Sequence, residues 1–159
     1  MEFPERVYTE EEVKKARELI EKGYRHQIKI KGSPKFKREI KKALELIKTA
    51  GYYDFLRTYI RQIEEIEGFS QLHETDAVIW ANTQMLEDHL DAASLLVQRA
   101  QQMKDYIEGR LYYGIGEVAA IEKRLEFIKT LRDKSKDETI RERCEDLLKK
   151  WAETKIMFP

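Results

Sequence analysis

Apolar and polar residues alternate with a helical period at the start of the chain and with a period of two soon afterwards. Thr9 and Glu12 have the spacing of a capping box, and apolar positions three and four residues apart follow them. The pattern predicts a helix that begins after Thr9 and ends near Gly23. Residues 26–31 then alternate, with apolar side chains at every second position, so they predict a strand.

A second helix is indicated by its boundary residues as well as by its apolar stripe. Ser33 can cap it, and Pro34 suits the first helical position. The apolar stripe continues up to Gly51. Residues 52–68 follow, and their aromatic and β-branched residues fit both a helix and a strand. We leave the first part of this segment open and predict extended structure nearer Gly68.

The middle of the chain predicts a strand followed by a long helix. Residues 76–82 are rich in apolar and β-branched residues, as in strands. Residues 88–108 form a helical pattern with one apolar face. A second, polar face of the same helix is a candidate site, and it contains Asp91, Ser94, Gln98, Gln102 and Asp105.

Two further helices complete the predicted fold. A glycine-containing connection at residues 109–116 leads to an apolar stripe over 118–131, and a polar break separates this helix from a last one at 137–153. Many helices and few strands predict an α+β fold. We expect residues 1–159 to form a single, predominantly helical domain with a small three- or four-stranded sheet.

The composition is that of a globular protein with a sizeable core. The 159 residues include 42% hydrophobic and 38% charged residues, and the longest apolar run, 77–81, is far shorter than the roughly 20 residues that span a bilayer. Cys144 is the only cysteine, so no internal disulfide is expected. We therefore expect a cytoplasmic protein without a membrane partner. Abundant Glu and Lys, with Asn82 as the only asparagine, are typical of a thermophile.

Histidine content argues against a conventional metalloenzyme. The three histidines are His26, His73 and His89, and no two lie three to five residues apart, as a helical metal-binding pair requires. We predict no metal and no cofactor. Ser70, His73 and Asp76 lie within one short segment, and this spacing gives no reason to expect a catalytic triad.

Charge is unevenly distributed, although 30 basic and 30 acidic residues balance overall. Residues 1–50 carry 14 basic and 9 acidic side chains, whereas residues 51–109 carry 4 and 11. The densest basic stretch, 25–42, includes three candidate binding residues, namely Lys35, Lys37 and Arg38. Clustered Lys and Arg attract phosphate groups, so nucleic acid is one interpretation of this stretch. The favoured interpretation is a solvated face that the acidic middle balances.

The order of the predicted elements resembles the minimal zincin-like metallopeptidase domain over residues 9–132. Residues 76–86 are similar to the edge strand and turn that precede the zincin active-site helix, and 92–97 are similar to the apolar approach to its zinc motif. Zincins then carry His-Glu-x-x-His, which aligns here with Gln98-Arg99-Ala100-Gln101-Gln102. Glu117 matches the position from which gluzincins supply a third ligand.

The departures from this motif imply that metal binding and hydrolysis are lost. Gln98 and Gln102 offer neutral amides, which are weak zinc ligands. Arg99 replaces the general base with a cation that cannot accept a proton. Glu117 alone cannot retain zinc. The resemblance thus implies a polar cluster in which Arg99 or the amides pair with Glu117, and we place Tyr113 beside it as a binding residue.

The leading functional hypothesis is a non-catalytic zincin-like protein that binds a protein or a peptide. A second hypothesis is an enzyme of another class that uses the same residues on an anionic substrate. A third is a nucleic-acid-binding helical module that uses residues 25–42. The polar face of the long helix also has a simpler interpretation, because the solvated side of any amphipathic helix is polar.

Overall fold

The computed structural model describes residues 2–112 and 114–157, which form six α-helices and one four-stranded sheet. The helices are α1 (Glu10–Glu21), α2 (Pro34–Thr49), α3 (Tyr53–Tyr59), α4 (His89–Ile107), α5 (Ile115–Lys134) and α6 (Glu138–Met157). The strands are β1 (Lys29–Lys31), β2 (Gln62–Ile66), β3 (Gln71–His73) and β4 (Val78–Asn82). Two 3-10 turns flank β4, at Glu74–Asp76 and Thr83–Glu87. The predicted α+β class is confirmed.

The sheet has the strand order β1-β2-β4-β3. β1, β2 and β4 are parallel, and β3 pairs antiparallel with β4 at the edge. The prediction that residues 76–86 contain the edge strand is wrong, because β4 lies between β2 and β3 and the edge is Gln71–His73. Ile79 pairs with Ile63 on one side and with Leu72 on the other. The residues around β3 show no alternation of apolar and polar side chains, unlike residues 26–31 around β1, so the sequence did not reveal β3.

The first strand is shorter than the predicted 26–31, because His26 belongs to a buried aromatic cluster and not to the sheet. Its side chain is 3% exposed, and its ring packs edge-on against Phe3 and Tyr24 at centroid distances of 4.5 and 5.0 Å. Burial, together with the nearby Arg61 cation, lowers the pKa of His26 to about 4. His26 is therefore neutral at physiological pH.

The predicted start of α2 is confirmed, and the carboxylate of Glu65 in β2 lies next to the N-terminus of this helix. The Ser33 hydroxyl accepts a hydrogen bond from the Phe36 N–H at 3.1 Å. Glu65 Oε1 accepts from the Ser33 N–H at 2.8 Å, and Glu65 Oε2 accepts from the Thr83 hydroxyl at 2.6 Å. These hydrogen bonds lower the pKa of Glu65. A Cβ on Gly32 would lie 2.8 Å from the Glu65 Cβ, so this turn requires glycine.

Residues 52–68, which the sequence left open, divide into α3 and β2. The helix ends at Tyr59, the backbone of Ile60 is extended, and β2 supplies the extended structure predicted nearer Gly68. The capping box at Thr9 and Glu12 is confirmed. The last helix extends beyond the predicted 153 to Met157.

α4 is the central helix, and it packs against the other five helices and against β3. Asp88 caps it, because Asp88 Oδ1 accepts from the N–H groups of Leu90 and Asp91. Leu96, Val97 and Ala100 lie in the core with no exposed surface. Among the described residues no helix has the length and apolarity needed to cross a membrane.

Candidate functional site

Most of the polar face of α4 is buried against neighbouring elements. Ser94 has no exposed surface, Gln102 is 7% exposed and Asp105 is 3% exposed. Gln98 is half-buried. The interpretation of this face as a solvated surface is therefore wrong. Buried polar groups need hydrogen-bond partners, so the partners define what this face does.

Arg124 of α5 supplies the partners at the N-terminal end of this face. Its Nε donates to Ser94 Oγ at 2.8 Å, and its Nη1 donates to Gln98 Oε1 at 2.8 Å. Its Nη2 pairs with Asp91 Oδ1 at 2.7 Å. Each guanidinium nitrogen of this 7% exposed residue thus has an acceptor. Burial lowers the pKa of Arg124, and the Asp91 carboxylate opposes that shift.

Sequence analysis missed Arg124. The available signal was its position on α5, three residues after Ile121 and four before Ile128, on the helix face that carries the apolar stripe. A basic residue on an apolar helix face predicts one of two arrangements. Either its side chain forms a buried ion pair, or the side chain turns away from the core. The structure also places the guanidinium 4.9 Å from the ring centroid of Trp151 in α6, a cation–π contact.

Arg99 is the second arginine of the site, and it has far fewer partners. Its Nη1 donates to Gln102 Oε1 at 2.9 Å, and its Nη2 lies 3.5 Å from the carbonyl oxygen of Ser70. Its Nε is buried and has no acceptor among the described residues. Burial lowers the pKa of Arg99, the Arg124 cation lowers it further, and Glu117 acts in the opposite direction.

The structure brings the predicted site residues into one neighbourhood but not into the predicted pairing. Arg99 contacts Gln102 directly, and Gln98 joins the network through Arg124. Glu117 is exposed at the start of α5 and close enough to favour the charge of Arg99. No hydrogen bond or ion pair connects it to Arg99 or to the amides in the described part of the chain, so that expectation is wrong. Tyr113, predicted beside the cluster, lies outside the described residues.

Three exposed apolar side chains lie next to Ser70 or near the start of α5. Phe69 precedes Ser70 and is 94% exposed. Val118 follows Glu117 and is 55% exposed, and Leu111 is 61% exposed. Of the described chain's four large, mainly exposed apolar residues, only Tyr8 lies elsewhere.

Asp105 is a buried carboxylate further along the same face of α4. Its Oδ1 accepts from Gln101 Nε2 at 3.0 Å, while its Oδ2 has no hydrogen-bond donor among the described residues. Burial is the main cause that raises the pKa of Asp105. Asp105 is thus, after Arg99, a second group on α4 whose charge is poorly compensated.

The serine and two of the histidines have structural contacts. The Ser70 hydroxyl accepts from the Asn82 N–H at 3.0 Å and lies 3.3 Å from Met85 Sδ. His73 lies 2.9 Å from the Asp76 carboxylate. Its ring stacks on Trp80 at 4.6 Å. His89 pairs with Glu39 and thereby ties α4 to α2. No hydrogen bond joins Ser70 to a histidine in the described residues.

The predicted basic residues of α2 lie apart from the arginine network. Lys35, Lys37 and Arg38 are exposed on the first turns of the helix. Lys35 lines a shallow cavity of about 420 Å³ together with Glu39 and His89. Within residues 2–112 and 114–157, no hydrogen bond or ion pair joins these three basic residues to Arg99 or Arg124.

The donor set of the site does not suit a zinc ion. The aligned motif offers two amides and a guanidinium, and a second guanidinium occupies the adjacent space. Guanidinium groups cannot act as ligands, and two fixed cations repel a third. The described residues contain no group of three or more His, Cys, Asp or Glu side chains that could hold a metal ion.

Comparisons with known protein families, with curated proteins and with solved structures give no match. The function must therefore be argued from the chemistry of the site.

Proposed function

We propose that this chain is a non-catalytic zincin-like protein that binds another protein or a peptide at the surface around Arg99. The observation that carries the proposal is the arginine network at the motif position. Arg99 and Arg124 hold Gln102 and Gln98, the two side chains at the positions where a zincin carries histidines. A site built in this way stabilises an arrangement of cations and amides instead of a metal centre.

The topology supports the scaffold part of the proposal. A zincin-like scaffold requires the motif-bearing helix to lie beneath an edge strand of the sheet. Here α4 packs against β3, the antiparallel edge strand, and Arg99 approaches the Ser70 carbonyl just before that strand. Glu117 of α5 lies within electrostatic range of the same arginine.

The residue types favour binding over catalysis. Guanidinium and amide groups neither accept nor release protons near neutral pH, so they cannot act as general acids or bases. The two nearby carboxylates are no better candidates for a general acid or base. Asp91 is engaged by Arg124, and Glu117 is solvent-exposed. Arginine with apolar surroundings is, in contrast, typical of protein interfaces.

Zinc binding to a restored motif tests the scaffold. The change is Gln98→His, Arg99→Glu and Gln102→His together, which should place two imidazoles at i and i+4 near Glu117. We expect this triple variant to bind one zinc ion and the unchanged protein to bind none after dialysis against zinc. Metal content and a zinc-dependent increase in Tm measure the effect.

The matched control adds Glu117→Gln to the triple variant, and we expect weaker zinc binding because the third ligand is lost. A folded triple variant that binds no zinc would overturn the zincin-like scaffold. Stoichiometric zinc in the unchanged protein, or metal-dependent peptidase activity, would overturn the non-catalytic assignment.

A second candidate function is nucleic-acid binding, and the exposure of the basic stretch favours it. All eight Lys and Arg side chains from Arg25 to Lys42 are exposed. In the described residues only Lys42 among them forms an ion pair, with Glu39 at 3.5 Å. Strong retention on a polyanion column with a steep salt dependence would support this candidate, and elution at low salt would exclude it.

A further inference from the structure

We propose that a cavity between α2, α6 and the start of α4 binds a small monocarboxylate whose apolar body is about the size of one aromatic ring. The inference is independent of the proposed function, because Arg99 lies ten residues, or about 15 Å, beyond His89 along α4. It is carried by the side chains that line the cavity, by its volume and by the ion pairs beside it.

Each of the three helices supplies one basic and one apolar side chain to this cavity. The basic side chains are Lys42 of α2, His89 of α4 and Arg143 of α6, and the apolar ones are Leu46, Leu90 and Ile140 of the same helices. Among the described residues no acidic side chain lines the cavity. Ligand sites combine apolar walls with a few polar groups that fix the orientation of the ligand. A ligand that matches this lining has an anionic head and an apolar body.

Ion pairs fix both permanent cations of the cavity next to the first residues of α4. Glu39 lies 3.5 Å from Lys42 Nζ and also pairs with His89. Asp88, which precedes His89 in the chain, accepts from Arg143 Nη2 at 2.7 Å. The ammonium and the guanidinium are therefore held at the same end of the helix, where one anionic group is attracted by both.

Both cations are accessible to a ligand and have unused hydrogen-bond donors. The side chain of Lys42 is 60% exposed and that of Arg143 is 46% exposed. In the part of the chain that the structure describes, Glu39 is the only acceptor for Lys42 Nζ, and Arg143 Nε and Nη1 have none. A carboxylate can therefore form charge-assisted hydrogen bonds with both groups without displacing Glu39 or Asp88.

The volume of the cavity, about 200 Å³, sets the size of the apolar body. Leu90, at 3% exposure, is the most buried part of its wall. An apolar protein cavity of about 150 Å³ accommodates one benzene ring, so this cavity has room for a ring and a carboxylate. Benzoate is therefore the probe that matches both the size and the charge of the cavity.

Titration of benzoate into the full chain, followed by the shifts of assigned amide signals in ¹H–¹⁵N NMR spectra, tests the inference. We expect saturable shifts at Leu46, Leu90 and Ile140, with a Kd of about 1 mM or tighter for a ligand of this size. Two analogues separate the head from the body. Benzamide keeps the ring without the charge, acetate keeps the charge without the ring, and each should bind at least about tenfold more weakly.

Variants of the protein locate the contact. Lys42→Met and Arg143→Met should each weaken benzoate binding at least about threefold, because each removes one cation from the cavity. Lys41→Met and Arg141→Met are the matched controls: both residues are exposed on the same two helices outside the cavity lining, and their loss should change the affinity less than about twofold. Leu46→Trp keeps both cations but fills the cavity, so it should abolish binding.

Benzoate binding that both methionine substitutions weaken, in variants whose circular dichroism is unchanged, would support the site. The absence of saturable shifts would overturn it. Equal affinity for benzamide would reduce the cavity to an apolar pocket that does not recognise charge, and equal affinity for acetate would reduce it to exposed cations that attract any anion. Shifts confined to the residues around Arg99 would also reject this cavity. None of these results affects the proposed function, which concerns a different surface.

Discussion

Arg124 and Arg99 are both partly or fully buried beside the same helix, yet their surroundings differ in kind. Arg124 lies within the interface of α4, α5 and α6, where three side-chain acceptors and the Trp151 ring satisfy it. Arg99 lies near the edge strand with one good hydrogen bond and a buried nitrogen that has no acceptor within the described part of the chain.

The difference lies in how many hydrogen-bond donors of each arginine are used, and it decides whether the side chain holds the fold together or stays available for a ligand. A buried cation whose donors are all used holds elements together, and removing it leaves its partners unsatisfied. A cation with unused donors adds little to stability, and it keeps interaction energy available for a ligand. The two arginines should therefore differ in how much their loss changes the free energy of unfolding.

Arg124→Met should produce the largest effect. We expect the free energy of unfolding to fall by about 3 to 4 kcal/mol, because three charge-assisted hydrogen bonds are lost while Ser94 stays buried and Gln98 half-buried. Urea denaturation followed by circular dichroism measures the change. Arg99→Met is the matched substitution, and its expected effect is less than about 1 kcal/mol in either direction. Equal losses at both positions would contradict the comparison.

His26 extends the comparison to a buried base, because its Nε2 has no hydrogen-bond partner among residues 2–112 and 114–157. Its folded pKa of about 4 lies below the usual 6.5, so the unfolded chain binds a proton first as the pH falls. The contribution of neutral His26 to the free energy of unfolding is complete above pH 6.5. We expect the free energy of unfolding to fall by about 3 kcal/mol between pH 7 and pH 4. Urea denaturation at several pH values measures this loss. His26→Gln should flatten that part of the profile, and an unchanged slope would reject the assignment.

Asp105 is the anionic counterpart of Arg99 on α4, and we expect a smaller effect there. Burial raises its pKa, so its contribution to stability is present at acid pH and is lost as the pH rises through the folded pKa. Asp105→Asn should therefore increase the free energy of unfolding at pH 7 by about 1 kcal/mol, with the gain shrinking towards acid pH. Chemical denaturation at neutral and acid pH measures both values.

Asp91→Asn is the control for Asp105→Asn, because Asp91 is a carboxylate of the same helix that has a cationic partner, Arg124. This substitution should destabilise the protein at pH 7, the opposite sign to Asp105→Asn. Two changes of the same sign would mean that pairing does not decide the role of the carboxylates on α4.

Local signals predicted those elements whose boundaries are set by nearby residues. Thr9 with Glu12 and Ser33 with Pro34 determine where α1 and α2 begin, because capping hydrogen bonds form within one turn. β3 was missed, since its three residues are stabilised by pairing with β4 and not by a pattern of their own.

The sequence placed the candidate residues on one face of a helix but did not predict their contacts. Helical spacing is sufficient to put Gln98 and Gln102 on one face of α4. Spacing within one helix says nothing about the side chain that reaches over from another, so Arg124 and its contact with Gln98 were missed. Nor could spacing show that Glu117 is exposed instead of paired.

By itself the sequence determined the helical periods, the caps and the absence of a histidine pair, because these depend on residues close together in the chain. Only the tertiary structure decided which strand lies at the edge and which arginine is satisfied. Both outcomes depend on groups distant in sequence that pack together, and the free energy of a buried charge is set by those neighbours. Arg99 and Arg124 have the same chemistry, and their surroundings alone make one a structural link and the other a candidate contact for a partner.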